Sequence, residues 1–316
     1  MNKRVDYLII SNRNDFTSDY ICVELRRLCK NYLRINRDEF ASYQIVWDVN
    51  KNRLTIGIEG VQYLIEDTLR GVYFRAPVYI RYYEKSTLEE QLYKSQWMAF
   101  IKNLMCFEKA IWINHPVATY KAENKMLQLK YAQEIGLLIP QTWVTNKKSA
   151  FLEDDKCYAV KSIDTLLLRQ GNKEAFLYTN NLKGKEIAEA DLAMAPIVVQ
   201  EFLDPKIDLR VTVVGTKAYA VKILQDGKGT YGDWRRAKDN VKFTRVDLPP
   251  EIECKCIMLV QKLGLFFGGI DLVLVDGRYF FIEVNPTGEW AWLVESAGLE
   301  INRAITMQLA GESYGK

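Results

Sequence analysis

Apolar and polar positions along residues 1–115 follow a pattern that predicts a small α/β domain. Residues 5–10 are largely apolar and predict a buried strand. Ile21, Leu25 and Leu28 recur at helical spacing, which predicts a helix that begins near residue 17 and ends near residue 30. Short strands are predicted at 32–35, 45–48, 54–58, 72–74 and 111–114, and a long helix at 84–108.

The rest of the chain changes from mixed to strand-rich. A helix at 121–135, closed by Gly136, opens the middle part, and the polar-ended segment 164–173 is typical of a mobile lid. Strands are predicted at 142–145, 157–161, 176–179, 197–202, 209–214, 218–224, 270–275 and 279–284, and further helices at 250–263 and 300–309. We therefore predict an N-terminal domain over 1–117, a central lobe over 118–196 and a C-terminal lobe over 197–316.

Composition and charge exclude several classes of protein. Apolar residues make up 48% of the chain and charged residues 26%, which is ordinary for a globular protein. The net charge of +3 is too small to indicate nucleic-acid binding. No apolar run reaches the ~18 residues of a membrane-spanning helix, and the N-terminal run is too short for a signal peptide. We therefore expect a cytoplasmic protein without nucleic-acid or membrane partners.

The six cysteines and the single histidine do not indicate a disulfide framework or a metal site. Cys254 and Cys256 lie too close together for a zinc knuckle, and we expect all six cysteines to be reduced. One histidine cannot form a multi-histidine metal site. Because His115 ends an apolar strand in Ile-Asn-His-Pro, we expect it to have a capping or packing role.

The stretch 269–286 predicts a hairpin that carries oxygen-bearing side chains inside apolar strands. Its two strands meet at an Asp-Gly turn, a strong hairpin signal. A carboxylate in a buried strand is costly unless its charge is compensated, and Asp271, Glu283 and Asn285 together suit a hard cation such as Mg²⁺. With a two-residue loop, Asp271 would face away from the other two side chains. We therefore predict an odd-length loop that brings all three to one face.

A second stretch, 198–215, predicts a strand, a short hinge and another strand. The hinge is extended, so its backbone can bind a purine edge. Asp208 is placed to hold ribose hydroxyls, and Arg210 enters the next strand beside it. Several cations lie in apolar contexts, where they need an anion such as a triphosphate. The hinge residues are Gln200, Glu201, Phe202 and Leu203, and the cations are Lys125, Lys161, Lys222, Arg235 and Arg236.

Other nucleotide and catalytic motifs are absent or incomplete. The segment 227–232 matches Gly-x-Gly-x-x-Gly, but the polar residues after it do not predict the helix that a dinucleotide site requires. The sequence has no Gly-x-x-x-x-Gly-Lys-Ser/Thr loop and no Gly-x-Ser-x-Gly elbow. The His-Arg-Asp and Asp-Phe-Gly motifs of protein kinases are also missing. We interpret 227–232 as a flexible loop on the phosphate side.

Taken in chain order, these elements resemble the ATP-grasp superfamily. Lys125 opens the central part, Lys161 ends a strand, the hinge and Asp208 follow, and Asp271 with Glu-x-Asn at 283–285 closes the series. The resemblance covers nearly the whole chain, and the last motif is its most specific part. It implies an α/β fold that is α+β in its nucleotide-binding part. An N-terminal pre-ATP-grasp domain would precede two α+β lobes that clasp ATP.

Within the superfamily, the chain is most similar to the ligases that macrocyclise ribosomally made peptides, the microviridin or graspetide type. The most distinctive match is Ile282-Glu-Val-Asn-Pro-Thr-Gly-Glu-Trp-Ala-Trp, and Ala122-Glu-Asn-Lys-Met-Leu-Gln-Leu also matches. Tyr73-Phe-Arg-Ala-Pro departs from the family pattern at Ala76, where a second arginine is expected. Arg75 in this run is a candidate for substrate binding.

The resemblance implies catalysis without a protein nucleophile. An Asp or Glu side chain of a precursor peptide, delivered with its leader segment, would attack the γ-phosphate of ATP. A Ser/Thr hydroxyl or a Lys amine would then attack the acyl phosphate, giving an ester or an amide. Homodimers are common in this family. Two Mg²⁺ ions would be held by Asp271, Glu283 and Asn285, with phosphate charge neutralised by Lys125, Lys161, Arg210, Lys222, Arg235 and Arg236.

Other functions of the same fold stay open at this point. The chain could add amino acids to a protein, as the ribosomal-protein glutamate ligases do, or join small metabolites, as D-alanine–D-alanine ligase does. A non-catalytic nucleotide-binding module is a further alternative, although the intact Asp271, Glu283 and Asn285 argue against it. The tryptophan-bearing run after residue 282 and the N-terminal domain favour a peptide substrate.

Overall fold

The structure is a computed structural model that describes residues 2–75, 87–164, 167–170, 173–176, 179–235 and 240–312, with the backbone alone at 167–170 and 173–176. The first part of the chain forms two four-stranded sheets, one of them parallel. Its elements are β1 (Lys3–Arg4), β2 (Tyr7–Ser11), α1 (Phe16–Arg27), β3 (Tyr32–Asn36), β4 (Gln44–Asp48), β5 (Arg53–Ile58), β6 (Val61–Ile65), β7 (Gly71–Phe74), α2 (Leu88–Asn103) and β8 (Ile111–Ile113).

The parallel sheet has the order β3-β2-β7-β8 and carries the elements nearest to the rest of the molecule. All five residues of β2 are buried, as its largely apolar sequence predicts. Asp15 caps α1 by accepting from the backbone N–H of Thr17. The predicted helix at 84–108 is shorter in the structure, because Thr87 and Glu90 form a capping box that starts α2 and a 3₁₀ turn follows at Leu104–Cys106. Residues 84–86 lie outside the described residues.

The middle of the chain forms a small antiparallel sheet with the order β13-β10-β14-β9. Because β14 belongs to this sheet, the boundary predicted after residue 196 falls before the last strand of the central lobe. The predicted lid lies partly outside the described residues, and its described backbone pairs as two strands rather than a loop. The elements are α3 (Pro116–Ala122), α4 (Lys125–Glu134), β9 (Thr142–Thr145), β10 (Cys157–Lys161), β11 (Leu167–Gln170), β12 (Lys173–Phe176), β13 (Asn180–Lys183), α5 (Gly184–Glu189) and β14 (Ile197–Glu201).

The last part is a five-stranded antiparallel sheet with the order β17-β16-β15-β18-β19. One face of this sheet packs against α4 and α6 in an apolar core that includes Leu209, Leu259 and Phe281. The elements are β15 (Ile207–Val214), β16 (Lys217–Gln225), β17 (Val241–Val246), α6 (Pro250–Lys262), β18 (Phe267–Val275), β19 (Arg278–Asn285), α7 (Ala291–Ala297) and α8 (Ile301–Ala310).

A single apolar cluster joins the N-terminal domain to this last part. It contains Tyr7 and Ile21 from the N-terminal domain together with Trp290 and Leu309 from the C-terminal region. At Gly71 the two parts approach so closely that a Cβ there would lie 2.7 Å from the backbone oxygen of Leu309. The N-terminal domain and the last part of the chain therefore pack tightly against each other through this cluster.

Two smaller expectations can be compared with the structure. His115 caps α3, and its Nδ1 accepts from the backbone N–H of Val117, so the predicted capping role is confirmed. All six cysteines are free thiols. Within the described parts of the chain, none of the helices has the length and apolar character needed to cross a membrane.

Candidate active site

The β18–β19 hairpin carries the carboxylates that the sequence singled out. Val275 pairs with Arg278 across a two-residue turn in which Asp276 and Gly277 both have positive φ, 47° and 76°. This is the left-handed geometry of a tight hairpin turn, so the predicted odd-length loop is wrong. The three side chains are nevertheless brought to one face, by an irregularity in the pairing of β18 with β19.

A β-bulge at Ile282 restores the common face. Leu272 pairs with Phe281, whereas Asp271 pairs with Glu283, so Ile282 is an extra residue on β19. The extra residue reverses the alternation, and the positions of Asp271 and Glu283 become directly opposite. Asn285 lies opposite Gly269 on the same face, two pairs further along. The predicted grouping of the three side chains therefore holds with an even turn and a bulge.

Asp271 binds two arginines, one on each oxygen. Arg210 Nη1 donates to its Oδ1 at 2.8 Å, and Arg235 Nη2 donates to its Oδ2 at 2.7 Å. Burial alone would raise the pKa of Asp271, but the two guanidinium charges outweigh it and lower this pKa to about 2. Asp271 is therefore ionised throughout the physiological range.

Arg210 is more deeply buried than Arg235. Its side chain is 7% exposed, against 32% for Arg235. A Cβ at Gly269 would lie 2.8 Å from Arg210 Nη2, and one at Gly288 would lie 2.6 Å from the same atom. Both positions must therefore stay free of a side chain for the guanidinium to fit.

Glu283 faces Lys125 and shares Arg235 with Asp271. Lys125 Nζ lies 3.7 Å from Glu283 Oε2, and Arg235 Nη2 lies 3.7 Å from Oε1. Asp233 also contacts Arg235, at 3.3 Å. Positive and negative groups therefore alternate at this end of the site, an arrangement suited to a ligand that carries both phosphates and a cation.

A cavity of about 410 Å³ opens between the central and C-terminal sheets, a volume typical of cofactor sites. In its wall, Lys161 Nζ donates to Gln200 Oε1 at 2.9 Å, and burial lowers the pKa of Lys161. Asp271 and Glu283 also line the cavity. The predicted site residues that line the cavity are Lys125, Lys161, Gln200, Glu201, Phe202, Leu203, Asp208, Arg235, Asp271, Glu283 and Asn285.

Asp208 lies in the cavity wall and is engaged by neighbours. Lys206 Nζ donates to both of its carboxylate oxygens, and Thr230 Oγ1 donates to Oδ2 at 2.6 Å. Burial raises the pKa of Asp208, and Lys206 opposes that shift. A ribose hydroxyl bound here would therefore meet a carboxylate that already has a cationic partner.

Two predicted phosphate ligands need correction or lie outside the structure. Lys222 pairs with Leu209, whereas Arg210 pairs with Val221, so Lys222 lies on the opposite face of the sheet. It does not line the cavity, and its predicted role in phosphate binding is wrong on this geometry. Arg236 falls outside the described residues.

The sequence matches the RimK-like ATP-grasp domain over residues 122–309. This match covers more than half of the chain and includes every element that lines the cavity. The chain belongs to the RimK-like ATP-grasp family. The predicted ATP-grasp fold, with mixed helices and sheets, is thus confirmed.

Solved structures agree with this fold over nearly the full length. A RiPP-associated ATP-grasp ligase from Chryseobacterium gregarium, in complex with ADP and a leader and core peptide, is 24% identical with a TM-score of 0.82, covering 99% of this chain and 98% of that one. The macrocyclase MdnC from Microcystis aeruginosa, bound with the precursor peptide MdnA, is 21% identical with a TM-score of 0.81, covering 96% and 99%. A D-alanyl-alanine synthetase from Vibrio cholerae is more distant, at 12% identity and a TM-score of 0.61, covering 98% of each chain. A search of curated protein sequences finds no significant match.

Arg75 connects this ATP-grasp site to the N-terminal domain. Its Nε donates to Asp15 Oδ2 at 3.0 Å and its Nη2 donates to Glu289 Oε1 at 2.8 Å, while its side chain is 7% exposed. The backbone oxygen of Glu289 accepts from Arg210 Nη2 at 3.4 Å. Arg75 thus has two carboxylate partners, and its contacts do not favour the substrate-binding role that the resemblance suggested.

Sequence reasoning missed several residues of the ATP-grasp site. Lys206, Asp233 and Trp234 line the cavity, and Glu289 joins the arginine network. Trp234 stacks under Arg235, whose guanidinium lies 5.1 Å from the ring centroid. Asp233 and Trp234 directly precede a predicted arginine, which was the available signal.

Proposed function

We propose that the chain is an ATP-dependent carboxylate ligase that cross-links Asp or Glu side chains of a ribosomally made precursor peptide to Ser/Thr or Lys side chains. The observation that carries this proposal is the site itself. A hinge-lined cavity ends at two carboxylates and an amide that the bulge at Ile282 places on one face. Family membership supports the nucleotide part, and similarity to peptide-bound ligases supports the substrate.

The cavity fits an ATP molecule with its base at the hinge. Phe202, Leu203 and Asp208 line the same cavity as the carboxylates. Lys161 is half-buried, with a lowered pKa that a phosphate oxygen nearby would raise again. We therefore assign the adenine to residues 200–203, the ribose to Asp208, and the phosphates to Lys125, Lys161 and Arg235.

The donor set at the other end suits Mg²⁺ shared with phosphates. Among the described residues no group of three or more His, Cys, Asp or Glu side chains could hold a metal alone. Asp271, Glu283 and Asn285 supply two carboxylates and one amide, which is the kind of incomplete set that phosphate oxygens complete. When bound there, Mg²⁺ would offset phosphate charge, and two ions held by Asp271, Glu283 and Asn285 remain our expectation.

The remaining residues position and stabilise the reacting groups. Arg210, fixed between Asp271 and Glu289, presents a guanidinium next to the carboxylates. We assign it to the charge that develops as the peptide carboxylate attacks the γ-phosphate. The resulting acyl phosphate would be consumed by an acceptor side chain of the same peptide, so the protein needs no nucleophile of its own.

A peptide substrate is supported by the full length of the similarity. The ligases from Chryseobacterium gregarium and Microcystis aeruginosa match the N-terminal domain as well as the ATP-grasp lobes. Both were solved with a precursor or a leader and core peptide. We therefore propose a precursor peptide with a leader segment as the partner, and a cytoplasmic reaction that draws on cellular ATP. A homodimer is also expected.

Addition of single amino acids to a protein is the second candidate, because the matching family is described as RimK-like. Ligation of small metabolites is the third, since the Vibrio cholerae D-alanyl-alanine synthetase shares the fold. The three functions differ in the mass of the product. They also differ in whether a second substrate must be supplied.

The test combines purified protein, Mg-ATP and an acidic precursor peptide encoded beside its gene. Intact peptide mass and ADP are measured together. We expect each ADP to accompany the loss of one water from the peptide, and hydroxylamine treatment then separates esters from amides. A gain in mass that depends on an added amino acid would contradict cross-linking and support the second candidate.

A further inference from the structure

Glu289 lies beside the phosphate end of the site but outside the nucleotide cavity. Its backbone oxygen accepts from Arg210 Nη2, and Arg210 Nη1 donates to Asp271. The residues that line the cavity do not include Glu289. Arg210 therefore stands between Glu289 and the carboxylates assigned to Mg-ATP.

The carboxylate of Glu289 is anchored and open to solvent. Arg75 Nη2 donates to Oε1 at 2.8 Å, and Arg75 is itself fixed on Asp15. The side chain of Arg75 is 7% exposed, whereas that of Glu289 is 61% exposed. Oε2 of Glu289 has no partner among the described residues. A carboxylate oriented through one oxygen and free at the other has the arrangement of an oriented base.

The other two carboxylates near Arg210, Asp271 and Glu283, already face cations. Asp271 uses both oxygens on Arg210 and Arg235. Glu283 faces Lys125 and Arg235. These two are also the carboxylates that we assign to Mg²⁺. Glu289 is not part of that set, so it can take a proton without releasing a metal.

We propose that Glu289 is the general base that deprotonates the acceptor side chain, an inference that rests on the proposed function. The acceptor hydroxyl or amine forms a bond to the acyl carbon while the bond from that carbon to the phosphate oxygen breaks. The acceptor proton moves to Oε2 of Glu289, and the electron pair of the broken bond leaves with inorganic phosphate. Arg75 keeps the carboxylate in place during this transfer.

The test separates acyl-phosphate formation from acyl transfer. Wild type, Glu289→Gln, Glu283→Gln and Glu295→Gln are incubated with Mg-ATP and the acidic precursor peptide, with and without hydroxylamine. Hydroxylamine is neutral near pH 7 and attacks acyl phosphates without a base. Glu295 is the matched control, because it lies on α7 near Glu289 and bonds only Tyr20 among the described residues.

We expect Glu289→Gln to lose cyclisation by about 10²–10⁴-fold, the usual contribution of a positioned base. The same variant should still release ADP and form peptide hydroxamate when hydroxylamine is present. Glu283→Gln should lose both products, and Glu295→Gln should resemble wild type. Hydroxamate formation by Glu289→Gln also shows that this variant is folded and binds ATP.

Two results would overturn the inference. Near-normal cyclisation by Glu289→Gln would show that the acceptor needs no base at this position. Loss of hydroxamate together with cyclisation would show that Glu289 only positions Arg210. A wild-type protein that releases no ADP with the peptide would instead contradict the proposed function, so the two failures are distinguishable.

Discussion

At the scale of single residues, Asp271 and Glu283 are both candidate metal ligands, but their surroundings differ. Asp271 is buried and holds two arginines, whereas the side chain of Glu283 is 29% exposed and faces its cations at 3.7 Å. Removing the charge of Asp271 takes away the carboxylate partner of the buried Arg210, which costs about 3–5 kcal/mol of stability. Glu283 is therefore the better position at which to test chemistry separately from folding.

We predict that Glu283→Gln lowers turnover by about 10³-fold, the scale of removing a charged group from a preorganised site. Its free energy of unfolding should fall by less than about 1 kcal/mol, because the pair contacts are long and partly exposed. ADP release with the peptide and urea unfolding measure the two effects. Glu251→Gln, on the exposed start of α6, is the control and should change neither. Near-normal ADP release by Glu283→Gln would refute the metal assignment.

Lys161 gives a separate prediction about nucleotide affinity. It is half-buried, donates to Gln200, and has a pKa that its partial burial lowers. Lys161→Met should weaken ADP binding by about 10–100-fold, which corresponds to ~1.5–3 kcal/mol for a hydrogen bond to a charged group. Titration calorimetry measures the affinity, with exposed Lys185→Met as the control. Equal affinities in wild type and Lys161→Met would place the phosphates elsewhere.

At the scale of elements, an ion pair joins the start of α1 to the residue that follows β7. Asp15 caps α1 and binds Arg75 at 3.0 Å, and its side chain is 3% exposed. Burial alone would raise the pKa of Asp15, but Arg75 and the hydroxyls of Ser11, Thr17 and Ser18 outweigh it and lower this pKa to about 2. The folded state thus binds the proton less readily than the unfolded chain. Ionised Asp15 therefore stabilises the fold above about pH 4, and this contribution is lost as the pH falls toward 2.

We predict that wild type loses about 2–3 kcal/mol more stability than Asp15→Asn between pH 6 and pH 2, the free energy that corresponds to the shift of this pKa. At pH 6 the variant should be less stable by about 3–5 kcal/mol, because it leaves the buried Arg75 with one carboxylate fewer. Urea unfolding at several pH values measures both differences. If wild type and Asp15→Asn lost the same stability between pH 6 and pH 2, the pKa of Asp15 would not be lowered in the folded state.

Some features of the β18–β19 hairpin can be predicted from the sequence, and others arise only when its strands pair. Apolar strands and an Asp-Gly turn are enough to predict the β18–β19 hairpin, and grouping Asp271 with Glu283 and Asn285 is chemically compelling. The bulge at Ile282 has no signature in residue type, because it arises from pairing between strands. The three side chains do share a face, as predicted, but the bulge brings them together instead of an odd-length loop.

Lys222 was a different kind of error. Val214 pairs with Lys217, so Gly215 and Thr216 form a two-residue turn between β15 and β16. Counting back from that turn places Arg210 opposite Val221 and puts Lys222 on the other face. The sequence therefore contained the information that separates Lys222 from the phosphate cluster. Arg75 is a third case, because its partners Asp15 and Glu289 are distant in sequence and meet only in the folded chain.

At the scale of the whole molecule, one apolar cluster joins the N-terminal domain to the C-terminal lobe. Leu309 on α8 is fully buried in this cluster and lies against Gly71 at the start of β7. Leu309→Ala should cost about 2–5 kcal/mol, the usual cost of a large-to-small change in a core. Because both parts share this cluster, they should lose stability together.

Urea unfolding followed by tryptophan fluorescence and by limited proteolysis measures this coupling. A single transition that shifts equally with both probes is the expected result. Leu88→Ala, at a position that is 80% exposed, is the control and should change stability by less than about 0.5 kcal/mol. Independent unfolding of the N-terminal domain in Leu309→Ala would contradict the shared core.

The central claim is that the γ-phosphate of ATP is transferred to a peptide carboxylate before the cross-link forms. The most direct measurement uses a precursor peptide whose Asp and Glu carboxyl oxygens carry a heavy-oxygen label, followed by mass analysis of the inorganic phosphate. The account predicts that one labelled oxygen enters phosphate for each water lost from the peptide. Cross-linked product formed together with unlabelled phosphate would contradict carboxylate activation by this site.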